Sequence, residues 1–225
     1  MKIILFGASG MVGQGVLREC LAAQDVEEVL VLGRAALGVH HPKLRELVHQ
    51  DFFDYASIEP QLHGYDACFF CLGVSAAGMD EATYTRLTYE LTLAAASTLA
   101  RLNPSMVFVY VSGAGTDSTE QGRSMWARVK GRTENALLRL PYRAVYLFRP
   151  GFIEAAHGER SKTTMSRVVY AVTRPLVPVL RALFPRHILS TVSIGQAMLV
   201  VAREGGPSAV LECPDIDRVA RRAGP

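Results

Sequence analysis

Short apolar runs alternate along this chain with longer stretches of helical periodicity. Lys2-Ile3-Ile4-Leu5-Phe6 predicts a strand, and Met11 to Ala23 places apolar residues at helical spacing. Val29 to Leu32, Glu46 to His49 and Ala67 to Leu72 predict three further strands, each bounded by Gly, Pro or Asp. The third of these is apolar throughout, which suits a central strand of a parallel sheet covered by helices on both faces. Asp80 to Leu102 holds no Gly or Pro, is rich in Ala, Leu and Thr, and stops at Asn103-Pro104, so one long helix is expected. Met106 to Val111 then reads as a strand, Met125 to Leu140 as a helix ended by Pro141, and Ala144 to Phe148 as a sixth strand. Repetition of β then α predicts an α/β doubly wound parallel sheet of Rossmann-like architecture. Past Arg149-Pro150-Gly151 the regularity loosens into a loop, a helix around 163–172, a Pro-rich turn and a helix around 193–203. A single domain over residues 1–225 is expected, with 151–225 contributing a small C-terminal helical cap on the substrate side.

Composition narrows the class. A hydrophobic fraction of 49% and a charged fraction of 20% describe a chain that builds a core. The net charge is only +3 and the basic residues are dispersed, which argues against nucleic acid as a partner. Arg218, Arg221 and Arg222 read as a solvated end. The first residues form a strand pattern without a signal-peptide core, so a cytoplasmic location is expected. The apolar stretch 175–184 is too short to span a membrane and is interrupted by Pro178 and Arg181. Cys68 and Cys71 lie three apart on a predicted strand and so point to opposite faces; with Cys20 and Cys213 they read as buried structural thiols, and no metal site is expected.

The chemistry begins at Gly7-Ala8-Ser9-Gly10-Met11-Val12-Gly13, between the first strand and the first helix. There the glycines allow a tight turn and let a pyrophosphate approach the N–H groups at a helix N-terminus. Gly7, Ser9, Gly10, Met11, Val12 and Gly13 are therefore candidate dinucleotide contacts. At the end of the second strand, where an NAD site places a carboxylate on the ribose 2′-hydroxyl, this chain has Gly33-Arg34. A guanidinium there pairs with a 2′-phosphate, so NADP(H) is the expected cofactor and NAD(H) the alternative. Asp51 is placed to accept from the adenine amino group, with an N-cap or turn role for Asp51 or Asp54 as the alternative. Leu72 and Gly73 are placed to line the ribose.

These segments carry a resemblance. Phe6-Gly7-Ala8-Ser9-Gly10, Leu32-Gly33-Arg34, Asp51-Phe52, Cys71-Leu72-Gly73, Val111-Ser112, Val129-Lys130-Gly131 and Phe148-Arg149-Pro150-Gly151 follow one another in family order. By them the chain resembles the atypical short-chain dehydrogenase/reductases of the Tat-interacting oxidoreductase type, close to the epimerase-like and NmrA-like groups. The resemblance implies a bound NADP(H), with Pro150 and Gly151 beside it, and a Ser-Tyr-Lys constellation at the nicotinamide. It places Ser112 on the substrate carbonyl and Lys130 on the nicotinamide ribose, and implies a homodimer formed through the helices beginning at Asp80 and Met125.

The chain departs from the family at one position: Y-x-x-x-K appears as Trp126-Ala127-Arg128-Val129-Lys130. A phenol beside a cationic lysine can give up a proton to a carbonyl oxygen, whereas an indole N–H only donates a hydrogen bond. Trp126 and Lys130 share a helical face, which puts the indole near the nicotinamide if Lys130 reaches the ribose. Tyr110, Glu154 and His157 are replacement proton donors to be weighed. Three functions remain open: an oxidoreductase of a small carbonyl or alcohol substrate, an NADP(H)-sensing module that regulates a protein partner, and an NAD-dependent epimerase or dehydratase, which Arg34 disfavours.

Overall fold

The computed structural model describes residues 1–156 and 188–224. Strands β1 (Lys2–Phe6), β2 (Glu28–Gly33), β3 (Leu44–Val48), β4 (Ala67–Phe70), β5 (Val107–Val111), β6 (Ala144–Arg149) and β9 (Val210–Glu212) form one sheet. Its order is β3-β2-β1-β4-β5-β6-β9, with every neighbouring pair parallel. Strand order reverses beside β1, so the crevice beyond the C-terminal ends of β1 and β4 is where an open α/β sheet takes a ligand. A second, two-stranded parallel sheet joins β7 (Phe152–Glu154) to β8 (Ile188–Ser190).

Alternation along the strands builds two cores. Ile3, Leu5, Val29, Val31, Phe69, Val107 and Val109 face one layer, made by α1 (Met11–Ala22), α5 (Thr191–Glu204) and α6 (Cys213–Ala220). Ile4, Phe6, Leu30, Leu32, Cys68, Phe70, Phe108 and Tyr110 face the other, which includes Ala95, Ala96 and Leu99 of α3 (Leu91–Leu102) and Leu137 of α4 (Met125–Leu137). With both faces covered, β4 is apolar throughout and β1 is apolar from Ile3 onward, as the uninterrupted runs in the sequence foretell. Helices α1 and α5 meet through glycines: a Cβ on Gly15 would stand 2.4 Å from Thr191 Cβ, and one on Gly195 2.7 Å from Glu19 Cγ.

The doubly wound sheet is as expected, with adjustments. The third strand starts two residues earlier than predicted, and the sheet has seven strands rather than six. Residues 188–220, expected to contribute to the cap, supply α5 and α6 to the core and β9 to the sheet. The short strands β7, β8 and β9 escape sequence reading because three residues carry too little periodicity. The helix expected from Asp80 to Leu102 is α2 (Glu81–Thr85) continued into α3 through a π-helical turn, Arg86–Glu90. Asp80 caps it, accepting from Thr83 N at 2.8 Å. No Gly or Pro marks the π turn, so its sequence offers no break signal. The predicted helix around 163–172 and the Pro-rich turn lie outside the described residues.

Candidate functional site

The glycine loop is shaped by contacts that exclude side chains. Gly7 has φ +79°, and a Cβ there would stand 2.7 Å from the Cys71 carbonyl carbon; one on Gly13 would stand 2.2 Å from Gly7 O. These two glycines hold β1, α1 and the end of β4 together. Gly10 N donates to Gly7 O at 2.9 Å and Gly10 is the N-cap of α1, with no side chain capping the helix. The Ser9 carbonyl accepts from Gln14 Nε2 at 3.1 Å, and Met11 and Val12 form the half-buried first turn of α1. A Cβ on Gly10 would meet only Gly7 O, at 3.4 Å, while one on Gly73 or Gly113 would meet nothing within 4 Å. The backbone beyond β1, β4 and β5 is thus bare along one line, leaving the N-terminal N–H groups of α1 open to an anion. That cradle fits a dinucleotide pyrophosphate with its riboses. Leu72, half-buried beside Gly73, borders it.

Arg34 is exposed just past β2; its carbonyl accepts from Gln50 Nε2 at 2.8 Å, and among the described residues its guanidinium has no ion-pair partner. Asp51 takes the turn role: its carboxylate accepts from Phe53 N at 2.9 Å, and Asp54 does the same for Ala56 N at 2.9 Å. Asp51 itself is exposed.

At the C-terminal end of β5, α4 delivers three side chains at four-residue spacing: Trp126, Lys130 and Glu134. Lys130 Nζ donates to Ser112 O at 2.8 Å and lies 5.6 Å from the centre of the Tyr110 ring. Burial pulls its ammonium down to about 8, and the nearby Glu134 carboxylate opposes that shift. Trp126 is half-buried, its ring 3.5 Å from where a Cβ on Gly115 would stand. Gly131 lets α4 come this close: a Cβ there would overlap Asp117 O at 1.7 Å. The connecting loop is tied down around Asp117, which accepts from Gly122 N at 2.6 Å and Thr119 N at 3.0 Å.

Glu134 is the residue that sequence reading misses. It is 1% exposed, and its carboxylate receives the Ser112 hydroxyl at 2.6 Å, Arg149 Nε at 3.1 Å and Arg149 Nη2. Arg149 also reaches Glu212 at 3.2 Å and Ser118 Oγ at 2.5 Å, joining β6 to α4, β9 and the loop after β5. The carboxylate and the carbonyl of Phe148, 3.1 Å away, occupy the direction of the Ser112 proton. The signal available in the sequence was the stripe Trp126, Lys130, Glu134 and the cation just before Pro150. Pro150 O accepts from Ala114 N at 2.8 Å, and Gly151 N donates to Cys213 Sγ at 2.9 Å, which fixes both beside the site.

Of the replacement donors, Tyr110 is 1% exposed, its hydroxyl set against Thr133 and Thr92, and burial pushes its pKa up. Glu154 is half-buried in β7 opposite Ser190, and His157 lies outside the described residues. Cys20, Cys68, Cys71 and Cys213 are free thiols, and burial raises the pKa of each. Among the described residues no cluster of His, Cys, Asp or Glu could hold a metal ion, and no helix is long and apolar enough to cross a membrane.

Fold and site together define a Rossmann-type protein of the short-chain dehydrogenase/reductase kind. No family model matches the chain. It is 30% identical over 180 residues to the protein of Emericella nidulans called fmp52, mitochondrial, covering 77% of this chain and 73% of that protein. It is 26% identical over 155 residues to the Rattus norvegicus protein HTATIP2, covering 68% of this chain but only 62% of the rat protein. The chain belongs to the atypical short-chain dehydrogenase/reductases, in the group that contains these relatives. The same fold is seen in a Burkholderia thailandensis oxidoreductase of the short-chain dehydrogenase/reductase family, with TM-score 0.66, 15% identity, and 98% of this chain and 94% of that chain covered. It recurs in the Bordetella bronchiseptica enzyme WbmF in complex with NAD+, with TM-score 0.68, 16% identity, and 99% and 77% covered.

Proposed function

We propose that this chain is an NADP(H)-dependent oxidoreductase acting on a small carbonyl or alcohol substrate. The observation that carries the reading is the bare glycine line beyond β1, β4 and β5, running from the open N-terminus of α1 to Lys130 at the tip of β5. Gly7, Gly10 and Gly13 hold the pyrophosphate through α1, Gly73 and Leu72 border a ribose, and Lys130, Pro150 and Gly151 surround the nicotinamide end. A nicotinamide nucleotide, when bound, supplies or accepts a hydride there. Arg34, exposed and without an ion-pair partner among the described residues, supports NADP(H) over NAD(H) by pairing with the 2′-phosphate. That the solved WbmF carries NAD+ supports a nicotinamide nucleotide in this fold without choosing between the two.

Turnover tests the reading: purified protein is incubated with NADPH and a panel of aldehydes, ketones and quinones, and absorbance of the reduced cofactor is followed. Oxidation with at least one carbonyl, lost in Lys130→Ala, is expected; a panel that never oxidises NADPH contradicts it. One observation favours a second reading. Trp126 in place of the phenol is compatible with a nucleotide-dependent binding module for a protein partner, in which case partner capture changes with NADPH and no carbonyl is reduced. A homodimer through the α2–α3 and α4 helices and a cytoplasmic location belong to the same proposal. Sedimentation and cell fractionation test them, the latter against the mitochondrial location in the fungal relative's name.

A further inference from the structure

An oxidoreductase of this kind must balance each hydride with a proton, and Trp126 cannot give one. The described groups around the tip of β5 narrow the source. The Ser112 hydroxyl points its hydrogen at Glu134 or Phe148 O, and so can only accept from a substrate. Tyr110 is sealed in the core against Thr92 and Thr133, with Tyr84 of α2 beyond it. Arg149 is held by Glu134 and Glu212 and keeps its proton. Lys130 has three ammonium protons and spends one on Ser112 O, at 2.8 Å.

We propose, building on the oxidoreductase reading above, that Lys130 Nζ hands the proton to the substrate oxygen, with Glu134 as the positioning residue that fixes Ser112 and keeps the lysine charged. As hydride reaches the carbonyl carbon, the C=O π pair moves onto oxygen. An N–H bond of the ammonium breaks, its electron pair stays on nitrogen, and an O–H bond forms on the new alcohol. The neutral amine then takes a proton from water, and the reverse sequence oxidises an alcohol. The ammonium is matched to this work, because burial brings it down to about 8 from the 10.5 of an ordinary lysine, within the range where transfer near neutral pH is efficient. The charges that face it are Glu134 on its own helix and, through Glu134, Arg149 of β6; Tyr110 of β5 presents its ring. The substrate oxygen thus meets a cationic donor, which favours substrates whose oxygen gathers full negative charge, such as aldehydes, ketones and quinones.

The experiment has two readouts. First, protein labelled with 13C at lysine Cε is titrated by NMR with NADP+ present, in wild type and Glu134→Gln. The chain has four lysines, Lys2, Lys43, Lys130 and Lys162, so assignment by substitution is direct. Lys130 titrating below the others, and lower still in Glu134→Gln, is expected; Lys130 titrating with the others overturns the proposal. Second, NADPH oxidation is measured in Lys130→Arg, which keeps the charge and withholds the proton. The arginine variant is expected to bind NADPH within a few-fold of wild type and to lose about 10²- to 10⁴-fold in rate. Adding Trp126→Tyr is expected to restore part of that rate by supplying a phenol. Lys130→Arg turning over like wild type with the same pH profile overturns the proposal while leaving the oxidoreductase reading intact, as does a rate loss and altered pH profile found in His157→Ala and not in Lys130→Arg. Absence of NADPH oxidation in wild type defeats the underlying reading instead.

Discussion

Removing one end of the Glu134–Arg149 pair is expected to destabilise the fold far more than removing both. The two side chains are 1% and 11% exposed, so neither Leu at 134 nor Met at 149 leaves water to solvate the survivor. Breaking a buried pair by deleting one partner costs about 3–5 kcal/mol, whereas replacing both by apolar groups of similar volume is often near neutral. In Glu134→Leu the guanidinium retains Glu212, whose side chain is 47% exposed and therefore gives little back. In Arg149→Met the carboxylate keeps one hydrogen bond, from the Ser112 hydroxyl, and the charge of the nearby Lys130, which is itself buried. For a chain of this size each kcal/mol moves the melting temperature by about 2–4 °C, so each single variant should melt about 6–20 °C below wild type. The double variant Glu134→Leu/Arg149→Met should recover much of that loss. Urea denaturation of all four proteins gives the coupling free energy. Single variants that cost under about 1 kcal/mol, or that add without coupling, would show that the pair behaves as a surface pair and does not hold the fold.

Other consequences follow from the same geometry. Gly131→Ala is expected to lower stability by about 1–3 kcal/mol and to weaken NADPH binding, since α4 must withdraw from Asp117 O, which a Cβ would overlap at 1.7 Å; denaturation and calorimetry check both. Burial lowers the Lys130 ammonium to about 8 in the folded protein, so between about pH 8 and 10.5 the unfolded chain binds more protons and stability rises with pH. Lys130→Met lacks this contribution, and the difference in stability between it and wild type should change across that window and be flat below it. Arg34→Asp is expected to cost NADPH about 10- to 100-fold in affinity, the worth of a charge-assisted contact, while NADH gains or holds; competitive titration of the two nucleotides checks it.

The parallel sheet was legible because both its faces are covered: Ile3 to Phe6 and Ala67 to Phe70 are apolar at every position, and only a buried central strand tolerates that. The glycine cradle was legible because Gly7 turns the chain at φ +79° and Gly13 closes against Gly7 O within the same loop, both constraints that glycine alone meets. What was hidden depends on contacts distant in sequence. Glu134 reads in isolation as one more polar helix position; only the meeting of α4 with β5 and β6 shows that it joins Ser112 and Arg149. That Phe53 N donates to Asp51 is likewise a matter of turn geometry that the sequence alone did not display. Similarly, Arg218, Arg221 and Arg222 read as a solvated end and are exposed, while the packing of Ile216 and Val219 in the short helix α6 shows only against α5 and the sheet.

Calorimetric titration with NADPH and NADH asks whether the bare backbone at the N-terminus of α1 holds a nicotinamide nucleotide. The variant for comparison is Gly10→Asp, in which a Cβ meets only Gly7 O at 3.4 Å and a carboxylate is set where the proposed pyrophosphate would lie. Saturable binding by wild type, tighter for NADPH and abolished in a folded Gly10→Asp protein, is the predicted result. Heat of binding absent with both nucleotides, or unchanged in Gly10→Asp, would mean that this cradle does not bind the nucleotide.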